Sequence, residues 1–104
     1  MQAIRYQSDS AELDSLRRVL LERLHDVTAK IYLFGSRAEG RARPFSDVDI
    51  GIAHDGSVTP AQLSALRDVL DDMNILLTVD LVDLQQASPE FRQRVMRQGV
   101  LWKD

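Results

Sequence analysis

The sequence predicts an α/β (α+β) fold, a small mixed β-sheet flanked by helices. Three observations carry this. Apolar residues recur at helical spacing in three stretches, apolar runs rich in β-formers stand between them, and the two kinds of segment alternate along only 104 residues.

The first helix is expected over about residues 10–26, where Leu13, Leu16, Leu20 and Leu24 make one apolar face. Asp9 and Glu12 have the spacing of a capping box at its start. "KIYLF", residues 30–34, is apolar on both parities and reads as a buried strand. "SDVDIGIA", residues 46–53, alternates strictly: Val48, Ile50 and Ile52 point one way, Asp47, Asp49 and Gly51 the other. A second helix opens at Thr59 as N-cap, with Pro60 at the first helical position and Gln62 completing the box. Its apolar face is Leu63, Leu66, Leu70 and Met73. "ILLTVDLVDL", residues 75–84, is a further strand. Ser88 and Pro89 open the last helix, Gly99 ends it, and "VLW" makes a short final strand. These stripes read as core rather than as cofactor contacts.

The length corresponds to one domain, residues 1–104, burying roughly 60–70% of its unfolded surface. A net charge of −3 argues against a polyanion binder, so direct nucleic-acid binding is not expected. The absence of cysteine excludes disulfides and thiolate zinc sites. The first ten residues lack the apolar core of a signal peptide, and no apolar run nears the roughly 20 residues of a membrane helix. The expectation is a soluble, cytoplasmic protein with no membrane partner.

Chemistry concentrates in "GSRAEGRARPFSDVDIGIA", residues 35–53. Asp47 and Asp49 project from one strand face with Cα atoms roughly 6–7 Å apart. At an effective dielectric near 20 their carboxylates repel by about 2–3 kcal/mol, and much less on a face open to salt water. A solvated strand edge would tolerate the pair; a divalent cation would remove the repulsion. Hard carboxylate oxygens suit Mg²⁺, which completes its shell with water and phosphate. Gly35 and Ser36 directly follow the buried strand, and Ser36 with Glu39 has capping-box spacing for a short helical turn ended by Gly40. Ser36 is a cap on one reading and a phosphate contact on the other, since free N–H groups at such a turn also serve an anion. Gly35 permits close approach of an anion or simply a tight turn, and Gly51 suits close approach of a ligand or another backbone. Asp80 interrupts an apolar strand, an expensive place for a charge unless it is paired or bound to metal. Asp83 faces the opposite way and reads as a solvated strand end. His25 and His54 have no metal-ligand companions at useful spacing and receive no role.

The string Gly35-Ser36, Gly40, Ser46-Asp47-Val48-Asp49-Ile50, with Asp80 about 30 residues later, resembles the DNA polymerase beta-like nucleotidyltransferase superfamily. Within it, the chain is similar to the minimal, single-domain nucleotidyltransferases (the MNT group) over essentially its whole length. The resemblance implies that fold and a site binding a nucleoside triphosphate, ATP, through two Mg²⁺ ions. It makes Asp47, Asp49 and Asp80 the metal ligands and catalytic acids, Asp80 also activating the attacking hydroxyl. It makes Gly35, Ser36, Arg37 and Ser46 the nucleotide-binding residues. Glu39 departs from the family pattern, which often has a second arginine there; Arg37, Arg41 and Arg43 are the nearby cations.

Proteins of this group are commonly antitoxins paired with a HEPN-type ribonuclease toxin. The resemblance therefore implies transfer of AMP from ATP to a tyrosine of that toxin, within a hetero-oligomer. Two alternatives stand beside it: a non-catalytic antitoxin that acts by contact, and a transferase for a small aminoglycoside-type acceptor, whose relatives usually need more chain. Phe91, Val95 and Trp102 are candidates for a partner surface, Trp102 above all, although core packing suits helical apolar positions better.

Overall fold

The computed structural model describes residues 2–40 and 47–104, with residues 2–10 as backbone only. The described elements are α1 (Gln2–Arg23), β1 (Ala29–Phe34), β2 (Val48–His54), α2 (Pro60–Asp71), β3 (Val79–Asp83), α3 (Pro89–Gln98) and β4 (Val100–Lys103). The strands form one sheet in the order β3-β2-β1-β4. β1 runs antiparallel to both β2 and β4, whereas β2 and β3 are parallel, so the sheet is mixed as expected. A parallel pair needs a long crossover, and α2 is that crossover.

Strand alternation sorts the core into two layers. Ile31, Leu33, Val48, Ile50, Ile52, Leu81 and Trp102 face α1 and α2, where Leu16, Leu20, Leu63, Leu66 and Leu70 complete the main core. Tyr32, Val82 and Leu84 turn to the other face and pack with Phe91 and Val95 of α3. Thr59 and Gln62 make the predicted capping box, and the Ser88 side chain accepts the Phe91 N–H at 3.2 Å. Gly99 ends α3 without a left-handed turn. A Cβ there would stand 2.6 Å from the Val95 carbonyl oxygen and 3.0 Å from that of Leu33, so close contact with β1 explains this glycine.

Several expectations need correction. α1 begins well before residue 10, so Asp9 and Glu12 lie inside it and no capping box forms there. The Glu12 carboxylate instead accepts the N–H of Leu76 at 2.8 Å, tying α1 to the segment that enters β3. That segment is not strand: only Val79–Asp83 of the predicted 75–84 run pairs, while Leu77 is buried and Leu76 is 73% exposed. Trp102 is a core residue, its ring 5.8 Å from the Arg17 guanidinium carbon, and not a free partner contact. Val95 is buried too, and Phe91 meets Phe34 edge to face at 5.7 Å. Among the described residues no helix is long and apolar enough to cross a membrane.

Glu12 is an acceptor for a backbone N–H 64 residues away, and an exposed charge-assisted bond of this kind contributes on the order of 1–2 kcal/mol. Glu12→Ala is expected to lower unfolding stability by about 1–2 kcal/mol in urea titration, with faster amide exchange at Leu76. An unchanged Leu76 exchange rate would show that the tether holds nothing.

Candidate active site

Three residues share one transverse row across the sheet. Phe34 of β1 is paired with Asp49 of β2, and Asp49 with Asp80 of β3. The next row on the same face is Tyr32, Gly51 and Val82. The two carboxylates therefore stand on neighbouring strands, whose spacing is about 4.8 Å. Asp47 precedes β2 and is exposed, as is Asp80, whereas Asp49 is half-buried. Phe34, held by Phe91, bounds the row on the β1 side.

This end of the ladder is well fixed. The Val48 N–H donates to the Thr78 carbonyl at 2.8 Å just where β2 meets β3. On the far side of β3, the Arg67 guanidinium donates to the Leu81 carbonyl at 3.0 Å and covers an edge group next to Asp80. Burial pushes the Asp49 carboxyl above the ordinary aspartate value, and the charges of Asp80 and then Asp47 raise it further. Asp49 thus feels both other acids, although Asp80 belongs to a different strand.

After Phe34 the chain turns through Gly35–Gly40. The Glu39 N–H donates to the Gly35 carbonyl at 3.2 Å and that of Gly40 to Arg37 at 3.4 Å, closing one helical turn but no helix. Gly35 and Gly40 have φ of 79° and 74°, the left-handed region that glycine enters freely. Gly35, Ser36 and Arg37 are half-buried, and Gly35 lies beside Asp49. Ser46, Arg41 and Arg43 lie outside the described residues.

Gly51 requires a correction. A Cβ there would come within 2.9 Å of Leu84 Cδ1, so a leucine side chain, rather than a ligand or a backbone, fills the space. Sequence reasoning also missed a pair. His54, with its side chain 3% exposed, lies 2.8 Å from Asp83 Oδ1. The Gly56 N–H donates to His54 Nδ1 at 3.0 Å, so Nε2 carries the proton and donates to Asp83. The same Asp83 oxygen accepts the Gln85 N–H at 2.9 Å. This network clamps the opposite end of β2 and β3. No spacing signal could reveal it, because its halves are 29 residues apart.

Among the described residues no three acidic or histidine side chains are gathered into a finished cage. The donor set still fits a hard divalent cation: two exposed carboxylates and one whose own ionisation is resisted by burial and by its acidic neighbours. A cation between them would relieve that resistance.

Residues 19–103 match the family described as "Polymerase beta, Nucleotidyltransferase", and the chain belongs to it. It is thus a nucleotidyltransferase, of the minimal kind. A relative from Haemophilus influenzae, named "Probable protein adenylyltransferase MntA", is 27% identical over 85% of this chain and 75% of its own length. A solved "putative minimal nucleotidyltransferase" superposes with a TM-score of 0.69 at 29% identity, over 88% of this chain and 94% of that one. A toxin-antitoxin structure with AMP-PNP is 32% identical over 83% and 71% of the two chains, TM-score 0.54. A "toxin-antitoxin MntA-HepT" structure is 29% identical over 86% and 70%, TM-score 0.50.

A carboxyl raised on folding binds its proton more tightly in the folded chain. Its contribution favours folding below the unfolded value of 3.8 and fades as pH rises through the folded value. Asp49→Asn is therefore expected to raise the urea midpoint of metal-free protein at pH 7. The gain should close once the pH falls below 3.8, where the aspartate is neutral in both states. Paired titrations at the two pH values check this, and a constant gap would contradict it.

Proposed function

We propose that this chain transfers AMP from ATP to a tyrosine hydroxyl of a HEPN-type ribonuclease toxin and so acts as its antitoxin, in a cytoplasmic hetero-oligomer. The observation that carries the reading is the placement of Asp49 beside Asp80, with Asp47 at the mouth of β2 and the Gly35–Gly40 turn next in line. Family membership makes the reaction class nucleotidyl transfer. The relative named as a protein adenylyltransferase, the AMP-PNP bound in one toxin-antitoxin relative and the HepT partner of another support the choice of ATP and of a toxin acceptor.

In this reading Asp47, Asp49 and Asp80 hold two Mg²⁺ ions. When bound, these neutralise the triphosphate and stabilise the entering and leaving oxygens of an in-line displacement. Gly35 and Ser36 hold the phosphates, with Arg37 and Ser46 as further contacts. Asp80 accepts the proton of the tyrosine hydroxyl. The tyrosine oxygen forms a bond to the α-phosphorus, the bond from that phosphorus to the bridging oxygen breaks, and pyrophosphate leaves. Asp47 and Asp80 are exposed, an arrangement open to an acceptor as large as a protein surface.

The test is the intact mass of a co-purified toxin partner after incubation with ATP and Mg²⁺. Wild type should add one or more AMP units, and an Asp47→Asn, Asp49→Asn double variant none. A tight complex with no mass gain from either protein would replace transfer with neutralisation by contact. Asp80→Asn alone is expected to slow transfer by about 10²–10⁴-fold while the complex still forms, measured by single-turnover mass spectrometry and by gel filtration.

A further inference from the structure

We infer that Gly35 is a positioning residue for Asp49: its missing side chain is the space in which the Asp49 carboxylate lies, and this fixes where that carboxylate is offered to a metal ion. The inference rests on the reading of Asp49 as a metal ligand.

A Cβ built on Gly35 would overlap Asp49 Oδ2 and stand 3.2 Å from Asp49 Cγ and 3.5 Å from Asp49 Cβ. Oδ2, Cγ and Cβ of Asp49 therefore lie in the space that a side chain at position 35 would occupy. The sheet register explains why. Phe34 is the last β1 residue paired, and its partner is Asp49, so the turn at Gly35 crosses directly beside that side chain. On its other flank Asp49 has Asp80, its like-charged partner in the β2–β3 register. The carboxylate is thus confined between a backbone on the β1 side and a repelling acid on the β3 side. A side chain at position 35 would drive it towards Asp80.

Backbone conformation alone does not account for this glycine. Gly40 has nearly the same φ, 74° against 79°, yet a Cβ there would meet nothing within 4 Å. The two glycines share a left-handed backbone and differ in what a side chain would strike. Gly40 therefore measures the strain that any alanine suffers in this conformation, and the excess at Gly35 measures displacement of Asp49.

The experiment compares Gly35→Ala and Gly40→Ala, each alone and combined with Asp49→Ala. Two quantities are read: the urea midpoint without metal, and Mn²⁺ binding without nucleotide, followed by the electron paramagnetic resonance signal of free Mn²⁺. Gly35→Ala is expected to weaken Mn²⁺ binding about tenfold or more, in the range seen when the support of a metal ligand is lost, and Gly40→Ala less than about twofold. Gly35→Ala should lower the urea midpoint further than Gly40→Ala when Asp49 is present, and equally once Asp49 is alanine. Equal Mn²⁺ effects of the two variants, or a Gly35→Ala penalty that ignores Asp49→Ala, would overturn the inference. If Gly35→Ala alone does not fold, recovery in the double variant supports it; failure to recover while Gly40→Ala folds overturns it. Should wild type take up no Mn²⁺, the metal reading of Asp49 fails. The midpoint comparison then decides by itself whether Gly35 sets the place of Asp49.

Discussion

The acidic end of the molecule depends on the parallel pairing of β2 with β3. Asp49 and Asp80 repel, so nothing in their own chemistry draws them together. They are neighbours because the Val48–Ile52 and Val79–Asp83 segments form one ladder, bracketed by the Val48–Thr78 and Ile52–Leu84 backbone bonds. The force that closes this ladder is apolar: Val48, Ile50, Ile52 and Leu81 bury their side chains against α1 and α2. His54 and Asp83 add a directed bond at the other end. One face of each strand thus supplies the stability that lets the other face gather like charges.

Most of the architecture was legible because it follows from short-range patterns. The caps at Thr59 and Ser88, the buried run at Ile31–Phe34 and the alternation through Val48–Ile52 each need only a few adjacent residues to declare themselves. The errors share one cause, which is dependence on distant partners. Glu12 at three residues from Asp9 resembles a cap, but both lie inside α1 and the Glu12 Oε1 accepts from Leu76 instead. The apolar run 75–77 looks like strand, yet its Leu76 N–H is bonded to α1 and its side chains divide between core and solvent. Trp102 near the chain end suggested exposure, and the antiparallel pairing of β4 with β1 carries it into the core instead.

The candidate site divides along the same line. Asp47, Asp49 and Asp80 could be singled out individually, since a charge in an alternating or apolar strand needs a reason. Their convergence could not be read without the register, and the resemblance to polymerase beta-like nucleotidyltransferases supplied it. Gly35 was legible as a turn, but not as the neighbour of Asp49, because that contact exists only once β1 and β2 pair. Ser46 remains a proposal from sequence.

Leu84 and Gly51 illustrate what such packing does to the paths open to sequence change. The leucine side chain occupies the volume that any larger residue at position 51 would require, and both lie within the layer covered by α3. Neither position is free on its own: enlarging residue 51 first meets a filled space, and shrinking residue 84 first leaves a void. The cost of a change at either position therefore depends on the residue at the other. Two sites that look unrelated along the chain are thus coupled through one packing contact, adjacent to the strand positions that carry the acids.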